Sequence, residues 1–378
     1  MDVVSRPLRL ALLTNFIAPY RLPLLEALSE RVSALRVLIS TRVERDRTAV
    51  ADWNGLDVVV QRGISVKRTW RTSRFAERLD LHVPLDTVAR LRAFRPDVIV
   101  SGEMGARTTQ AMLFGRRRGV PIYIWATLAE HLEVERDPMR QALRRWLLAR
   151  ASGVIVNGNS GASYIRRYDV PDERIAVVPQ TTSLEAFQRV PLTRAASCAR
   201  RILVVGRLSS GKGVDLLLGA LAAVARRQPQ RTFDICIIGD GPLRTQLQSM
   251  PLPPNARAAW PGHVDYGALP AYYARAGLLA FPTLGDEWGM VVNEALAAGL
   301  PVLGSRLSQA VEELVTDGEN GWKFTPASVH DVAQALERAM QTPDEELERM
   351  RAAARAAVET LTPEGVADRF LLALHGGH

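Results

Sequence analysis

The chain has 378 residues, 47% of them hydrophobic and 23% charged, with a formal net charge of +8. That length suits about two hydrophobic cores, and the balanced composition excludes a disordered, collagenous or coiled-coil chain. The charge is uneven: through residue 190 there are 30 Arg plus Lys against 20 Asp plus Glu, a net of +10, and the remainder has 18 against 20, a net of −2. A basic first half implies an anionic partner such as nucleic acid, a phosphorylated substrate or lipid headgroups. A habit of using Arg explains it equally well, since Lys67, Lys212 and Lys323 are the only lysines.

In chain order, "MDVVSRPLRLALLTNF" has a short apolar core without a signal-type cleavage region, so it is expected to be the first strand of a cytoplasmic protein. No apolar run approaches the roughly 18 residues of a membrane-spanning helix. Further β-branched runs follow: "LRVLIS", "DVIVSG", "PIYIWAT", "GVIVNG" and "IAVVPQ". Helix-period segments lie between them at residues 21–31, 107–118 and 140–150. The stretch at 179–200 is polar and aperiodic and reads as a linker. The pattern resumes with "RILVVGR", "FDICIIG", "GLLAFPT" and "LPVLGS", with helices at 214–227 and 291–298 and two or three more from Ser328, capped at Ser328, Thr342-Pro343 and Thr362-Pro363. Strands alternating with helices predict parallel sheets. The expected architecture is α/β, with Rossmann-like doubly wound domains at 1–190 and 191–360. A final helix at 361–378 is a candidate to pack back on the first domain. Such sheets bind ligands beyond the carboxyl ends of their strands, and two that face each other leave a cleft.

The second domain carries most of the chemistry. "ILVVGRLSSGKGVDLLLGAL" is a strand, a turn with Gly206, Gly211 and Gly213, then a helix. Arg207 and Lys212 stand at the positive end of that helix, which makes a phosphate site; a surface basic turn is the plain alternative. The spacing is neither the dinucleotide fingerprint nor a P-loop. Downstream, the glycines of "FDICIIGDGPLRTQL", Gly241 among them, permit close backbone approach to a ligand. His263 follows Gly262 in a turn and is a candidate base or phosphate neighbour. The stretch "GDEWGMVVNEALAAGLPV" then places Asp286, Glu287 and Glu294 around the start of an apolar helix. Dipole stabilisation accounts for one such carboxylate, whereas a pair eight residues apart could accept hydrogen bonds from two polyol units of one ligand. Cys198 and Cys236 form no Cys-x-x-Cys and give no sign of a metal site or disulfide framework.

These segments resemble the C-terminal half of a retaining, nucleotide-sugar-dependent glycosyltransferase of the large bacterial family 4 (GT4), which has the GT-B architecture of two Rossmann-like domains. The resemblance is close over residues 200–325 and looser in the first half. "GRLSSGKG" matches the family turn that binds the donor diphosphate, which implies that role for Gly206, Arg207 and Lys212. "DEWGMVVNE" matches a Glu-x7-Glu pattern with Asp286 in the first place, one methylene shorter. The resemblance implies that Asp286 faces the transferred sugar and Glu294 binds the ribose. It also implies that Glu287, Trp288, Gly289, Met290 and Val291 form the donor loop, with their backbone toward the diphosphate. In "TNFIAPYRLPLLEAL", Ala18, Pro19, Tyr20 and Arg21 become acceptor-side candidates, beside Glu103 in "VSGEMGARTTQ". His131 is the candidate for a histidine that contacts the donor sugar, with Glu130 and Thr127 as rivals.

The implied reaction is metal-independent, with no cofactor beyond the nucleotide-sugar donor, and serves polysaccharide or lipopolysaccharide assembly on a glycan or lipid-linked acceptor. An anionic membrane surface is a further candidate partner, at the inner face of the cell membrane. It would be met through "SVKRTWRTSRF" (Lys67, Arg68, Trp70, Arg71, Arg74, Phe75) or "MRQALRRWLLAR" (Arg140, Arg144, Arg145, Trp146, Leu147, Leu148), although an ordinary amphipathic helix packing on the sheet is the favoured alternative for the second. A non-hydrolysing sugar-nucleotide epimerase shares the architecture, and a sugar-binding protein of periplasmic type is a remoter alternative. No nucleic-acid-binding motif is present.

Overall fold

The structure, a computed structural model, describes residues 8–42, 53, 55–71, 76–133 and 138–375, and side chains apart from those of 67–80. The chain folds as two compact units. One gathers residues up to Thr72, Glu77–Ser183 and Leu361–His378; the other contains Leu184–Thr360.

The first unit is built on β1 (Arg9–Thr14), β2 (Ala34–Ile39) and β3 (Asp57–Val60), a two-stranded pair β4 (Gly63–Arg71) and β5 (Ala76–Pro84), then β6 (Val98–Gly102), β7 (Ile122–Ala126), β8 (Gly153–Val156) and β9 (Ile175–Val177). Seven of these form one parallel sheet in the order β3-β2-β1-β6-β7-β8-β9. The central strands β1, β6, β7 and β8 are short Leu/Val/Ile-rich runs buried on both faces, as parallel sheets covered by helices require. Leu10, Leu12, Ile99, Val100, Ile124 and Ile155 are all fully buried. The chain leaves β1 toward β2 and β3 and later returns to place β6 on its other side. The β1/β6 junction is therefore the topological switch point, where open α/β sheets bind ligands. The helix Pro363–Leu374 belongs to this unit. Phe370 meets Trp125 edge-on at 5.3 Å, Tyr123 Oη donates to the Leu374 carbonyl at 2.8 Å, and Arg31 pairs with Asp368 at 2.6 Å.

The second unit holds β10 (Ile202–Val205), β11 (Phe233–Ile238), β12 (Ala256–Gly262), β13 (Leu278–Phe281), β14 (Val302–Ser305) and β15 (Gly321–Phe324). They form a parallel sheet ordered β12-β11-β10-β13-β14-β15, with the switch point between β10 and β13. The helix Val214–Arg227 lays Leu217, Leu218, Leu221 and Val224 on this sheet, with Leu336 and Met340 of the helix Val329–Gln341 in the same core. Ser328 caps the latter by accepting from the Asp331 amide at 3.3 Å, and Thr362 caps the last helix from Gly365 at 3.1 Å.

The structure bears on three sequence expectations. The stretch 179–200 is no loose linker: Leu184, Phe187 and Val190 are 5%, 1% and 5% exposed, and Phe187 packs edge-on against Tyr273 and Tyr266 at 5.0 and 5.8 Å. Three apolar residues spaced by three are too few to register as a helical period, yet they anchor the segment in the second unit. The helix Pro138–Leu148 turns its apolar face inward, with Leu147 and Leu148 fully buried and Leu143 and Trp146 against the core. Arg144 is drawn to Glu133 and Tyr164, so this helix packs on the sheet through its apolar face, as one of the two sequence readings has it, while Arg145 stays exposed. In the other patch, Arg74, Phe75 and the side chains of Lys67, Arg68, Trp70 and Arg71 lie outside the described residues, while the backbone of 63–71 is strand β4. Among the described residues no helix is long and apolar enough to cross a membrane.

Candidate functional site

The switch point of the second sheet brings two loops together. One follows β10 and carries Arg207 and Lys212; the other follows β13 and carries Asp286 and Glu287. Backbone contact holds them in register. The Leu284 amide donates to the Gly211 carbonyl at 2.8 Å, and Thr283 Oγ1 donates to the same carbonyl at 3.1 Å. Gly213, at φ 61°, lies so close to the second loop that a Cβ would stand 2.2 Å from the Pro282 carbonyl oxygen. Only glycine allows both the left-handed backbone and this approach. Gly239 serves the same end one strand over, at φ 129°, where a Cβ would meet the Gly206 oxygen at 1.9 Å. Gly206 is fixed by its amide to Ile238, and the Gly241 amide donates to Asp240 Oδ1 at 2.7 Å, holding that carboxyl below its ordinary pKa.

Within this frame Lys212 Nζ donates to Asp286 Oδ2 at 2.5 Å and stands 5.8 Å from the Phe281 ring centroid. The other Asp286 oxygen accepts from the Trp288 amide at 3.2 Å. Both charged side chains are partly exposed, 30% for Lys212 and 19% for Asp286, so water and ligands reach the pair. Arg207 is exposed on the same loop. The helix Met290–Ala297 opens directly beyond, with Gly289 at φ 105° as its N-cap. Its first amides point away from the helix body without intrahelical acceptors, which favours an anion there. Met290 and Val291 are the residues of that first turn.

The residues between Asp286 and the helix are structural as well as exposed. Trp288 is 2% exposed, donates through Nε1 to Asn293 Oδ1 at 2.9 Å, and its carbonyl accepts from Ser308 Oγ and from the Ala310 amide. The Glu287 side chain is exposed while its carbonyl accepts from Gln309 at 2.8 Å. Glu294 lies one turn deeper than the helix start, 5% exposed, with Tyr273 Oη donating to its Oε2 at 2.8 Å. Burial pushes its pKa up to about 7, against the downward pull of hydrogen bonds from Tyr273 and Tyr266. Asp286 and Glu294 thus occupy different environments, one a half-open ion pair and the other a buried carboxyl. His263 follows edge strand β12, beside the Gly239–Gly241 turn; it is exposed, its ring lies 3.9 Å from the Asp265 carboxylate, and it is near enough to Asp240 to help lower that carboxyl's pKa.

The first unit has its own polar edge. Ala18 is buried and Pro19 to Arg21 form a short turn. The Arg21 guanidinium stacks 4.8 Å from the Trp125 ring centroid and donates to Thr127 Oγ1 at 3.5 Å; Tyr20 lies beside it, 5.8 Å from the same guanidinium. Glu130 and His131 occupy the turn after β7, where Glu130 pairs with Arg167 and its amide donates to Ser160 Oγ. Glu103 follows β6 with a positive φ of 74° and accepts from Asn15. Sequence reasoning missed Arg107, which bonds Asn15 from within the helix Ala106–Arg118. Its signal would have been an Arg at a position that the helical period assigns to the interior.

Comparison with known proteins bears on both units. The family described as glycosyl transferase 4-like domain matches residues 17–181, and glycosyl transferases group 1 matches 195–357. Alpha-D-kanosaminyltransferase of Streptomyces kanamyceticus is 24% identical over 259 residues, 64% of this chain and 66% of that protein. D-inositol 3-phosphate glycosyltransferase of Nocardia farcinica is 28% identical over 260 residues, 63% of this chain and 56% of that protein. The matches therefore span between about half and two thirds of these relatives' lengths. The structure of Anabaena HepE in complex with UDP superposes with a TM-score of 0.71 at 17% identity, covering 97% of this chain and 99% of HepE, a likeness of fold. With both of its doubly wound units matched in order, the chain belongs to the GT4-type glycosyltransferases of the GT-B fold.

Proposed function

We propose that the protein is a retaining transferase that moves a hexose-type sugar from a nucleoside-diphosphate sugar to a hydroxyl of a glycan or lipid-linked glycan. The observation that carries this reading is the Lys212–Asp286 pair at the β10/β13 switch point, flanked by Arg207 and a helix N-terminus. In the reaction the bond between the anomeric carbon and the β-phosphate oxygen breaks. The acceptor oxygen bonds the same carbon on the same face, and its proton passes to the departing phosphate. Charge accumulates on the leaving group, so cations fixed beforehand lower the barrier without reorganising. Lys212 and Arg207 fill that role, with no metal ion required. Asp286 holds Lys212 until the diphosphate arrives, then faces the transferred sugar. Glu294 receives the ribose hydroxyls. That HepE binds UDP makes uridine the first base to test. The net +10 through residue 190 supports an acceptor presented at an anionic membrane surface on the cytoplasmic side.

The test is label transfer from a panel of UDP- and GDP-sugars, with the product anomer read from its proton coupling. Retention of the donor configuration is expected; inversion would overturn the mechanism, and conversion of the donor without an acceptor would make the protein an epimerase. The division of roles has its own measurement. Calorimetry at pH 8, above the Glu294 pKa of about 7, is expected to show Glu294→Gln weakening UDP and UDP-sugar alike, about tenfold as for loss of a charged hydrogen bond. Asp286→Asn should weaken the full donor more than bare UDP. Equal losses for both ligands in both variants would refute the split.

A further inference from the structure

Arg107 is a buried cation that the donor site does not use. It stands in the first turn of the helix Ala106–Arg118 and is 3% exposed. That is a poor place for a guanidinium, because the helix dipole is positive at that end and burial penalises the ion. Burial accordingly pushes its pKa down, and the neighbouring Glu103 carboxylate offsets part of that. Nε and Nη1 of Arg107 reach no hydrogen-bond acceptor among the described residues, while Nη2 donates to Asn15 Oδ1 at 2.7 Å and to Ser40 Oγ. Core packing alone does not account for a residue held at such cost.

Its connections do. Asn15, Ser40 and Glu103 are the first residues beyond β1, β2 and β6, three adjacent strands, so one guanidinium ties three loops at the switch-point edge. A guanidinium has only donors and a carboxylate only acceptors. Asn15, placed between them, must therefore turn Oδ1 to Arg107 and Nδ2 to Glu103, and it does. Glu103 adopts φ 74°, a backbone conformation that non-glycine residues seldom occupy and that concentrates at functional sites. Its carbonyl accepts from Thr108 Oγ1 at 2.5 Å, and Thr108 is in turn bonded to Ser101 at 2.8 Å. The Glu103 side chain is exposed at this edge.

We infer that Arg107 is a positioning residue that, through Asn15, aims the Glu103 carboxylate to accept a hydrogen bond from a hydroxyl of the acceptor. The inference rests on the proposed transfer to a hydroxyl and adds the chemistry of the contacted group. That group is an uncharged polyol hydroxyl, because a carboxylate at this point repels phosphate. Arg107 acts only through Glu103, so its loss registers in acceptor recognition and leaves the donor alone.

The experiment uses the full chain with octyl glycosides as acceptor probes, scored by label transfer and by saturation-transfer NMR in the presence of UDP. Glu103→Gln and Arg107→Met are each expected to raise the acceptor KM about tenfold with the donor KM unchanged, and the double variant to add less than twofold. Arg107→Lys should recover part of the loss. Should Arg107→Met fail to fold, Asn15→Ala carries the same expectation. Independent, multiplicative losses, or a rise in donor KM with acceptor KM untouched, would overturn the inference. So would tighter binding of phosphorylated than of neutral glycosides, or a wild-type protein that binds none of the glycosides. If the wild type transfers sugar from no nucleotide donor, the proposed reaction fails first, which keeps the two failures distinct.

Discussion

Lys212→Ala is expected to lower the turnover of sugar transfer by about 10²- to 10³-fold, the cost typical of removing one fixed charge-stabilising donor from an active site. The side chain is 30% exposed, so the fold should survive. Its loss leaves the Asp286 carboxylate held by the Trp288 amide at 3.2 Å and no longer neutralised by the ammonium. That carboxylate would then repel an incoming diphosphate. Lys212→Ala should therefore raise the donor KM as well as reduce kcat, and adding Asp286→Asn should restore part of the binding but not the turnover. Arg207→Ala, on the same loop, leaves the Lys212–Asp286 pair in place and should reduce kcat with less effect on donor KM. Steady-state kinetics on purified variants of unchanged melting temperature check both. Near-normal turnover in Lys212→Ala would remove the switch-point pair from the reaction.

The second large effect concerns stability and pH. Glu294 has a folded pKa of about 7 against an ordinary 4.5, because burial disfavours the charged form. Between those two values the folded chain holds a proton that the unfolded chain has released. Stability from this group is therefore fully present below about 4.5, declines as pH rises through that window, and is gone above about 7. The shift corresponds to about 3 kcal/mol at most, large beside a typical folding free energy. Glu294→Gln keeps the shape and an oxygen for Tyr273 but cannot ionise. Its melting temperature relative to wild type should accordingly be higher at pH 8 than at pH 5. A wild-type-to-variant difference that is the same at both pH values would show that the carboxyl is not held protonated by its surroundings. A buried carboxyl destabilising at neutral pH is a cost that a ribose-binding role would explain.

The repeated strand-helix pattern by itself determined two parallel sheets. Each central strand is an unbroken run such as "LALL" or "ILVV", and a strand buried on both faces has no polar position to obscure it. The Gly-rich turn at 206–213 and the carboxylates at 286, 287 and 294 were legible for a related reason: glycine at a close approach and charge in an apolar setting both contradict their surroundings. Not every edge element was. The edge strand β9 was legible in "IAVVPQ", but β3, β15 and the β4–β5 pair outside the main sheet were not distinguished from loops. Only the tertiary structure decided that Lys212 pairs with Asp286 across 74 positions, because that contact depends on β13 lying beside β10 rather than on local spacing. It likewise decided that Glu294 is buried against Tyr273 and that Arg107 joins Asn15, Ser40 and Glu103. Side chains from separate strands meet only once the sheet order is set, and sheet order is a property of the packed chain.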